Sequence, residues 1–132
     1  MDAGRYGYET KVKKGFDETV AWVTEELAKE GFGVLTTIDV KATLKKKIDV
    51  DFRQYTILGA CNPKLAHRAL SEDAQMGLML PCNVVVQESE AGGVEVSVIN
   101  PNAMFGVMGD DRLKDVAEEA DTRLRRVVAA LS

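Results

Sequence analysis

The stretch that decides the fold is Tyr55–Val86, with the sequence YTILGACNPKLAHRALSEDAQMGLMLPCNVVV. An apolar run stands at each end and predicts a buried strand. Between the strands, Asn62-Pro63 predicts a helix start, because asparagine caps free amides and proline at the first helical position has no amide to leave unpaired. The stretch also holds both cysteines and the only histidine, so the candidate site lies where the fold is decided. The buried side of this helix is expected to consist of Leu65, Ala66, Ala69 and Leu70.

On the N-terminal side, the pattern predicts a strand followed by an amphipathic helix. Tyr6–Val12 alternates apolar and polar residues, which is the period of a half-buried strand. Asp17 is expected to accept hydrogen bonds from the free amides at the helix start. Gly31 is expected to end the helix in a left-handed conformation, after which Phe32 folds back on Leu27.

A second β-rich run, Val34–Val40, predicts the next strand. Ala42, Leu44 and Ile48 then stand among four lysines and indicate a short surface helix. Nucleic-acid binding calls for a wider basic face with stacking aromatic residues, so we interpret the lysines as the solvated side of that helix. The cluster consists of Lys41, Lys45, Lys46 and Lys47.

On the C-terminal side, two β-rich runs and a long helix complete the pattern. Asn83–Glu88 and Val94–Asn100 flank Gly92-Gly93, which predicts an antiparallel hairpin. The last helix is expected to lie across the sheet, so the fold class is α+β, a two-layer sandwich of a mainly antiparallel sheet with helices on one face. The apolar residues of that helix are Leu113, Val116, Ala117, Ala120, Leu124, Val127, Val128 and Leu131.

Length and charge limit the classes of partner. A chain of 132 residues is expected to form a single domain, 1–132. Its net charge of −4 gives no overall attraction to nucleic acid or anionic lipid. The N-terminus has no signal-peptide pattern, and the longest apolar run falls short of the roughly 20 residues of a membrane helix. We therefore expect a cytoplasmic protein with free thiols and with no nucleic-acid or membrane partner.

These motifs resemble one family. The series ILGACNPKLAHRAL, GLMLPCNVVV, a strand ending in Asn100-Pro101 and a C-terminal amphipathic helix is similar to the domain of unknown function 302 family, over nearly the whole chain. The resemblance implies an α+β domain like the TATA-binding-protein folds, with an antiparallel sheet, and it implies homodimers. It implies no particular activity.

The two cysteines are the main candidates for chemistry. Cys61 directly precedes the helix cap, where the helix dipole lowers a thiol pKa, so it is either a reactive thiolate or a small buried residue at a strand end. Cys82 follows Pro81 at the start of the next strand and has the same two interpretations. Their spacing matches no zinc pattern, so no metal site is assigned.

The other candidates carry weaker signals. His67 has no carboxylate at helical spacing and forms no catalytic constellation, so we interpret it as a surface or packing residue. The methionines near the cysteines are either core fillers or part of a soft pocket for Cu(I). No cofactor is identified. These methionines are Met76, Met79, Met104 and Met108.

Three functions follow as hypotheses. The preferred one is a binding domain in which the CNP and LPC turns line a pocket for a small molecule or thiophilic ligand, without turnover. The second is a thiol-dependent redox or sulfur-transfer protein that uses Cys61, with Cys82 as resolving partner. The third is a structural homodimer without a ligand. The ligand-binding residues predicted by the first hypothesis are Cys61, Asn62, Pro63, Cys82 and Asn83.

Overall fold

Six strands form one antiparallel sheet in the structure, a computed structural model that describes residues 1–106 and 111–132, the side chains of 104–106 excepted. Besides its strands and helices, the described part of the chain has two short 3₁₀ turns, Ala74–Met79 and Asp111–Leu113. The strands and helices are β1 (Asp2–Ala3), β2 (Gly7–Val12), α1 (Phe16–Lys29), β3 (Gly33–Asp39), α2 (Val40–Ile48), β4 (Tyr55–Cys61), α3 (Pro63–Glu72), β5 (Cys82–Glu88), β6 (Val94–Ile99), α4 (Pro101–Gly106) and α5 (Lys114–Leu131).

The strand order is β1-β2-β6-β5-β4-β3, and all neighbours are antiparallel. Along each central strand the residues alternate between two environments. Leu58, Val84 and Val98 are buried and belong to one core cluster with residues of α1, α3 and α5. Ile57 and Val85, on the opposite face, are only half-buried. The protein is therefore an α+β two-layer sandwich, as the sequence predicts.

The C-terminal helix supplies the other half of the core. All eight apolar residues that the helical spacing singles out are buried. Burying a valine or leucine side chain contributes about 1.5–3 kcal/mol, so this stripe is a main source of the stability of the fold.

The periodicity did not indicate Asp121, which is buried and accepts a hydrogen bond of 2.6 Å from the Tyr8 hydroxyl. Arg125 donates to the same hydroxyl and also pairs with Asp121, so this cluster ties α5 to β2.

The sequence-based prediction is wrong for the start of α1 and confirmed for its end. The predicted cap at Asp17 is wrong: Gly15 is the N-cap, and the Thr19 hydroxyl donates to its carbonyl at 2.7 Å. Asp17 lies in the first turn, where its charge still favours the helix dipole. The predicted end is confirmed, because Gly31 has a φ of +83° and the Phe32 amide donates to the Leu27 carbonyl at 2.9 Å.

Helices α2 and α3 differ in how much of their surface is buried. The expected surface helix is α2, and none of its residues is buried. The buried side of α3 is narrower than predicted: Leu65 and Ala69 are buried, but Leu70 is 41% exposed because it lies at the edge of the stripe. None of the helices in the described part of the chain combines the length and the apolar character that crossing a bilayer requires.

Candidate functional site

The two cysteines border the same cavity between the sheet and the helices. Cys61 is the last residue of β4, and Cys82 is the first residue of β5, where it stands opposite Ala60 in the antiparallel register. The cavity has a volume of about 20 Å³. Its walls are mainly apolar, and the residues that line it with the cysteines include Phe32, Ala60, Leu65, Leu80, Val116 and Ala120.

The volume of this cavity limits what it can hold. A cavity must offer roughly 10–15 Å³ to accommodate one water molecule, whereas pockets for drug-sized ligands measure about 300–1,000 Å³. At about 20 Å³, this space admits one water-sized species. An organic molecule of ordinary size is therefore too large for this cavity.

The two thiols differ in burial, and the Cys82 thiol is the more buried one. Burial raises the pKa of the Cys82 thiol to about 11, and the neighbouring Cys61 thiol adds to the effect. Cys82 is therefore protonated at neutral pH and is not a nucleophile there. Cys61 is half-buried beside the start of α3, and neither sulfur takes part in a disulfide.

Alkaline pH is expected to destabilise the protein through Cys82. Its folded pKa of about 11 lies above the value of an unfolded thiol, so its contribution is fully present below about pH 9 and is lost as pH rises through the folded pKa. The stability difference between the wild type and Cys82→Ala is expected to shrink by about 2–3 kcal/mol from neutral pH to pH 11. Urea unfolding of both proteins measures it, and a constant difference would refute the assignment.

Asn62 links the cavity to the end of α1. Its side-chain Oδ1 accepts a hydrogen bond from the Leu65 amide at 3.3 Å, which caps α3 as predicted. Its Nδ2 donates to the Glu30 carbonyl at 3.4 Å, and the Arg123 guanidinium donates to the same oxygen. A Cβ at position 31 would lie 3.0 Å from that Nδ2, so Gly31 also permits this close approach. The amide of Asn62 is thus engaged in holding the cavity wall together.

Replacing this amide tests its structural role. Asn62→Ala removes the acceptor of the Leu65 amide, while the Glu30 carbonyl keeps its hydrogen bond from Arg123, so we expect a loss of about 1–2 kcal/mol in the free energy of unfolding. Asn62→Asp keeps the acceptor and adds a charge that suits the helix dipole, so its loss is expected to be smaller. Chemical denaturation compares the two variants, and equal losses would mean that capping is not what Asn62 contributes.

The structure separates the remaining predicted site residues from the cavity. Pro63 begins α3 and is exposed. Asn83 is exposed on the opposite face of the sheet, because successive residues of a strand point to opposite faces. It borders a different cleft of about 280 Å³. Of the five predicted residues, the cavity therefore brings together Cys61, Asn62 and Cys82.

The histidine and the methionines do not extend the thiol pair. His67 is exposed on α3, Met76 is fully buried in the core, and Met79 packs against the core. Met104 and Met108 lie outside the described side chains. Within residues 1–106 and 111–132, no group of three or more histidine, cysteine or acidic side chains could hold a metal ion. A soft ion bound in the cavity would therefore depend on the two thiols for its coordination.

The walls of the cavity include residues that no local sequence pattern assigns to a site. Phe32 is predicted only to pack on Leu27, and Val116 and Ala120 only to belong to the core stripe of α5, yet all three line the space around the thiols. Periodicity showed that these residues are buried. It gave no signal that they share a void with Cys61 and Cys82.

Comparisons with known proteins agree with the fold and the motifs. The crystal structure of an uncharacterized conserved protein DUF302 from Bacillus stearothermophilus is similar to this chain, with a TM-score of 0.89 and 33% sequence identity. The match covers 98% of this chain and 100% of that one. No curated protein matches the sequence significantly. The model of the family described as domain of unknown function DUF302 matches residues 8–131. The chain therefore belongs to the DUF302 family.

Proposed function

We propose that this protein binds one thiophilic ligand between Cys61 and Cys82, with Cu(I) as the representative ion. The observation that carries the proposal is that both thiols border one cavity of water-molecule size. Thiolate is the ligand type that selects soft ions. A tetrahedral zinc site would need four ligands, whereas two thiolates form a complete ligand set for Cu(I).

The surroundings of the thiols suit retention of such an ion. The cavity walls are mainly apolar and Cys82 is buried, so bulk water and competing ligands have little access to the Cys82 sulfur. Because Cys82 is protonated at neutral pH, binding must displace its proton, and the affinity should increase with pH. We place the protein in the cytoplasm, where the reducing environment would keep both thiols available. The proposal includes no catalysed reaction.

Native mass spectrometry of the reduced protein tests this function. Under anaerobic conditions with Cu(I) buffered by a competing chelator, we expect one ion per chain at saturation. The mass of the complex should equal that of the protein plus one copper ion, minus the thiol protons that the ion displaces. His67→Ala serves as the control, because it removes the exposed imidazole and leaves both thiols in place. Failure to retain copper, or retention that depends on His67, would overturn the proposal.

A second candidate is a dithiol that cycles with a disulfide. The observation in its favour is that both thiols border one cavity, because Cys61 ends β4 and Cys82 begins the paired strand β5 opposite Ala60. Oxidised glutathione would accept the two electrons and two protons of the thiols and become two glutathione molecules, while one S–S bond forms within the protein. Incubation in glutathione buffers followed by mass measurement tests it. A loss of two hydrogens at cytoplasmic potentials supports the redox function, and no loss excludes it.

A further inference from the structure

A second cleft, of about 270 Å³, opens between the start of α1, the strands β3 and β4, and the start of α2. Thr37 and Asp39 of β3 and Thr56 of β4 form its floor, and Asp39 stands opposite Thr56 in the antiparallel register. Phe16 and Val20 of α1, which pack against the core, form an apolar wall. The volume lies just below the range of pockets for drug-sized ligands, so the cleft suits a smaller metabolite.

The charged residues of this cleft do not neutralise each other. Asp17 in the first turn of α1 and Asp39 at the N-cap of α2 contribute two carboxylates, and Lys41 contributes one ammonium. None of the three forms an ion pair with any residue of 1–106 and 111–132. Asp39 uses one oxygen to accept a hydrogen bond from the Ala42 amide at 2.9 Å, and its other oxygen is available. The cleft therefore offers charge of both signs, with a net charge of one negative unit, to a ligand.

Thr56 adds a buried hydroxyl to the floor. The residue is only 8% exposed, and its hydroxyl forms no hydrogen bond with any described side chain or backbone group. Among the described side chains, no sealed nitrogen or oxygen atom lacks a partner, so this hydroxyl must reach the open space of the cleft. Buried polar groups normally have a hydrogen-bond partner. The partner of this hydroxyl must therefore come from water or from a ligand in the cleft.

From these observations we infer that the cleft binds a free α-amino acid with a cationic side chain, of the lysine or ornithine type. The carboxylate of the amino acid pairs with the Lys41 ammonium. Its two cationic groups pair with the carboxylates of Asp17 and Asp39, so that a ligand of net charge +1 meets a cleft of net charge −1. The methylene stem lies on Phe16 and Val20, as the stems of long cationic side chains lie on apolar surface.

Other classes of small ligand match the cleft less well. A polyamine has no carboxylate, so it would bring positive charge towards Lys41. A phosphate or a dicarboxylate would meet the two aspartates, and a neutral polyol would leave all three charges without a counter-charge. The cleft shares no described lining residue with the thiol cavity, so failure of this inference would leave the proposed Cu(I) site untouched.

NMR titration of the ¹⁵N-labelled protein with L-lysine tests the site. A ligand of about ten non-hydrogen atoms is expected to bind with a dissociation constant on the order of 0.1–1 mM. We expect saturable shifts of the amide signals around the cleft. Cadaverine lacks the carboxylate and 6-aminohexanoate lacks the α-ammonium, so each should bind at least about tenfold more weakly. Shifts that fail to saturate at about 10 mM, or equal binding of the three compounds, would overturn the inference.

Substitutions that keep the fold assign the charges to their partners. Lys41→Gln is expected to weaken L-lysine binding at least about tenfold and to leave cadaverine binding unweakened, because only L-lysine has a carboxylate. Asp39→Asn keeps an acceptor for the Ala42 amide and loses the charge, so it should weaken both compounds. Lys47→Gln, on the same helix but outside the cleft, is the matched control and should bind L-lysine like the wild type. Equal weakening by Lys41→Gln and Lys47→Gln, or equal weakening of both compounds by Lys41→Gln, would contradict the assignment.

Discussion

Cys61→Ser is expected to reduce the affinity for Cu(I) by more than about 100-fold. A hydroxyl is a poor ligand for a soft ion, and loss of one of two thiolates leaves the ion with a single sulfur. Cys82→Ser should have an effect of the same size, since the two sulfurs border the cavity together. Competition with a chromophoric Cu(I) chelator measures both affinities.

The control for these variants should remove a side chain of the same region that could bind copper but lies outside the cavity. His67→Ala meets this condition, because His67 is exposed on α3. Its affinity is expected to stay close to that of the wild type. If either serine variant bound Cu(I) as tightly as the wild type, the thiol pair would not be the binding site.

Phe32→Ala is expected to cause the largest loss of stability, about 3–5 kcal/mol in the free energy of unfolding. Phe32 is only 2% exposed and fills the space between the end of α1 and the cavity. Truncation removes its apolar contacts and leaves a void that the surrounding helices cannot fully close. Denaturant titration of the wild type and the variant measures the difference.

Leu78→Ala provides the comparison for this prediction. Among the large apolar side chains that the structure describes, Leu78 is the most exposed at 81%, so its truncation should change the stability by no more than about 0.5 kcal/mol. A loss below about 1 kcal/mol for Phe32→Ala would show that the wall of the cavity yields easily and is not part of the packed core.

The elements that sequence predicts well are those with local causes. The stripe of α5 follows from helical spacing alone, and all its apolar positions are buried. The cap at Asn62 and the left-handed Gly31 follow from the conformations that these residue types prefer. The start of α1 is an exception. Its N-cap is Gly15, two residues before the predicted cap Asp17, so the side chain of Asp17 has no capping role.

The candidate site depends on non-local geometry, which is why only part of it could be predicted. Cys61 and Cys82 border one cavity because β4 and β5 pair with Ala60 opposite Cys82, and a period of two residues does not distinguish that register from one shifted by two residues. The position of Asn83 could have been deduced, since neighbouring strand residues face opposite sides of a sheet. The walls contributed by α5 depend on how that helix crosses the sheet, which a single sequence does not encode in any local pattern.

The measurement that addresses the thiol site most directly is X-ray absorption at the copper edge of protein loaded with one Cu(I) per chain. It reports the number and type of the atoms bound to the metal. We predict two sulfur neighbours with no nitrogen neighbour, as expected for an ion held between Cys61 and Cys82. A nitrogen neighbour, or a copper–copper contact from a cluster bridging several chains, would contradict the proposed binding of one soft ion in this cavity.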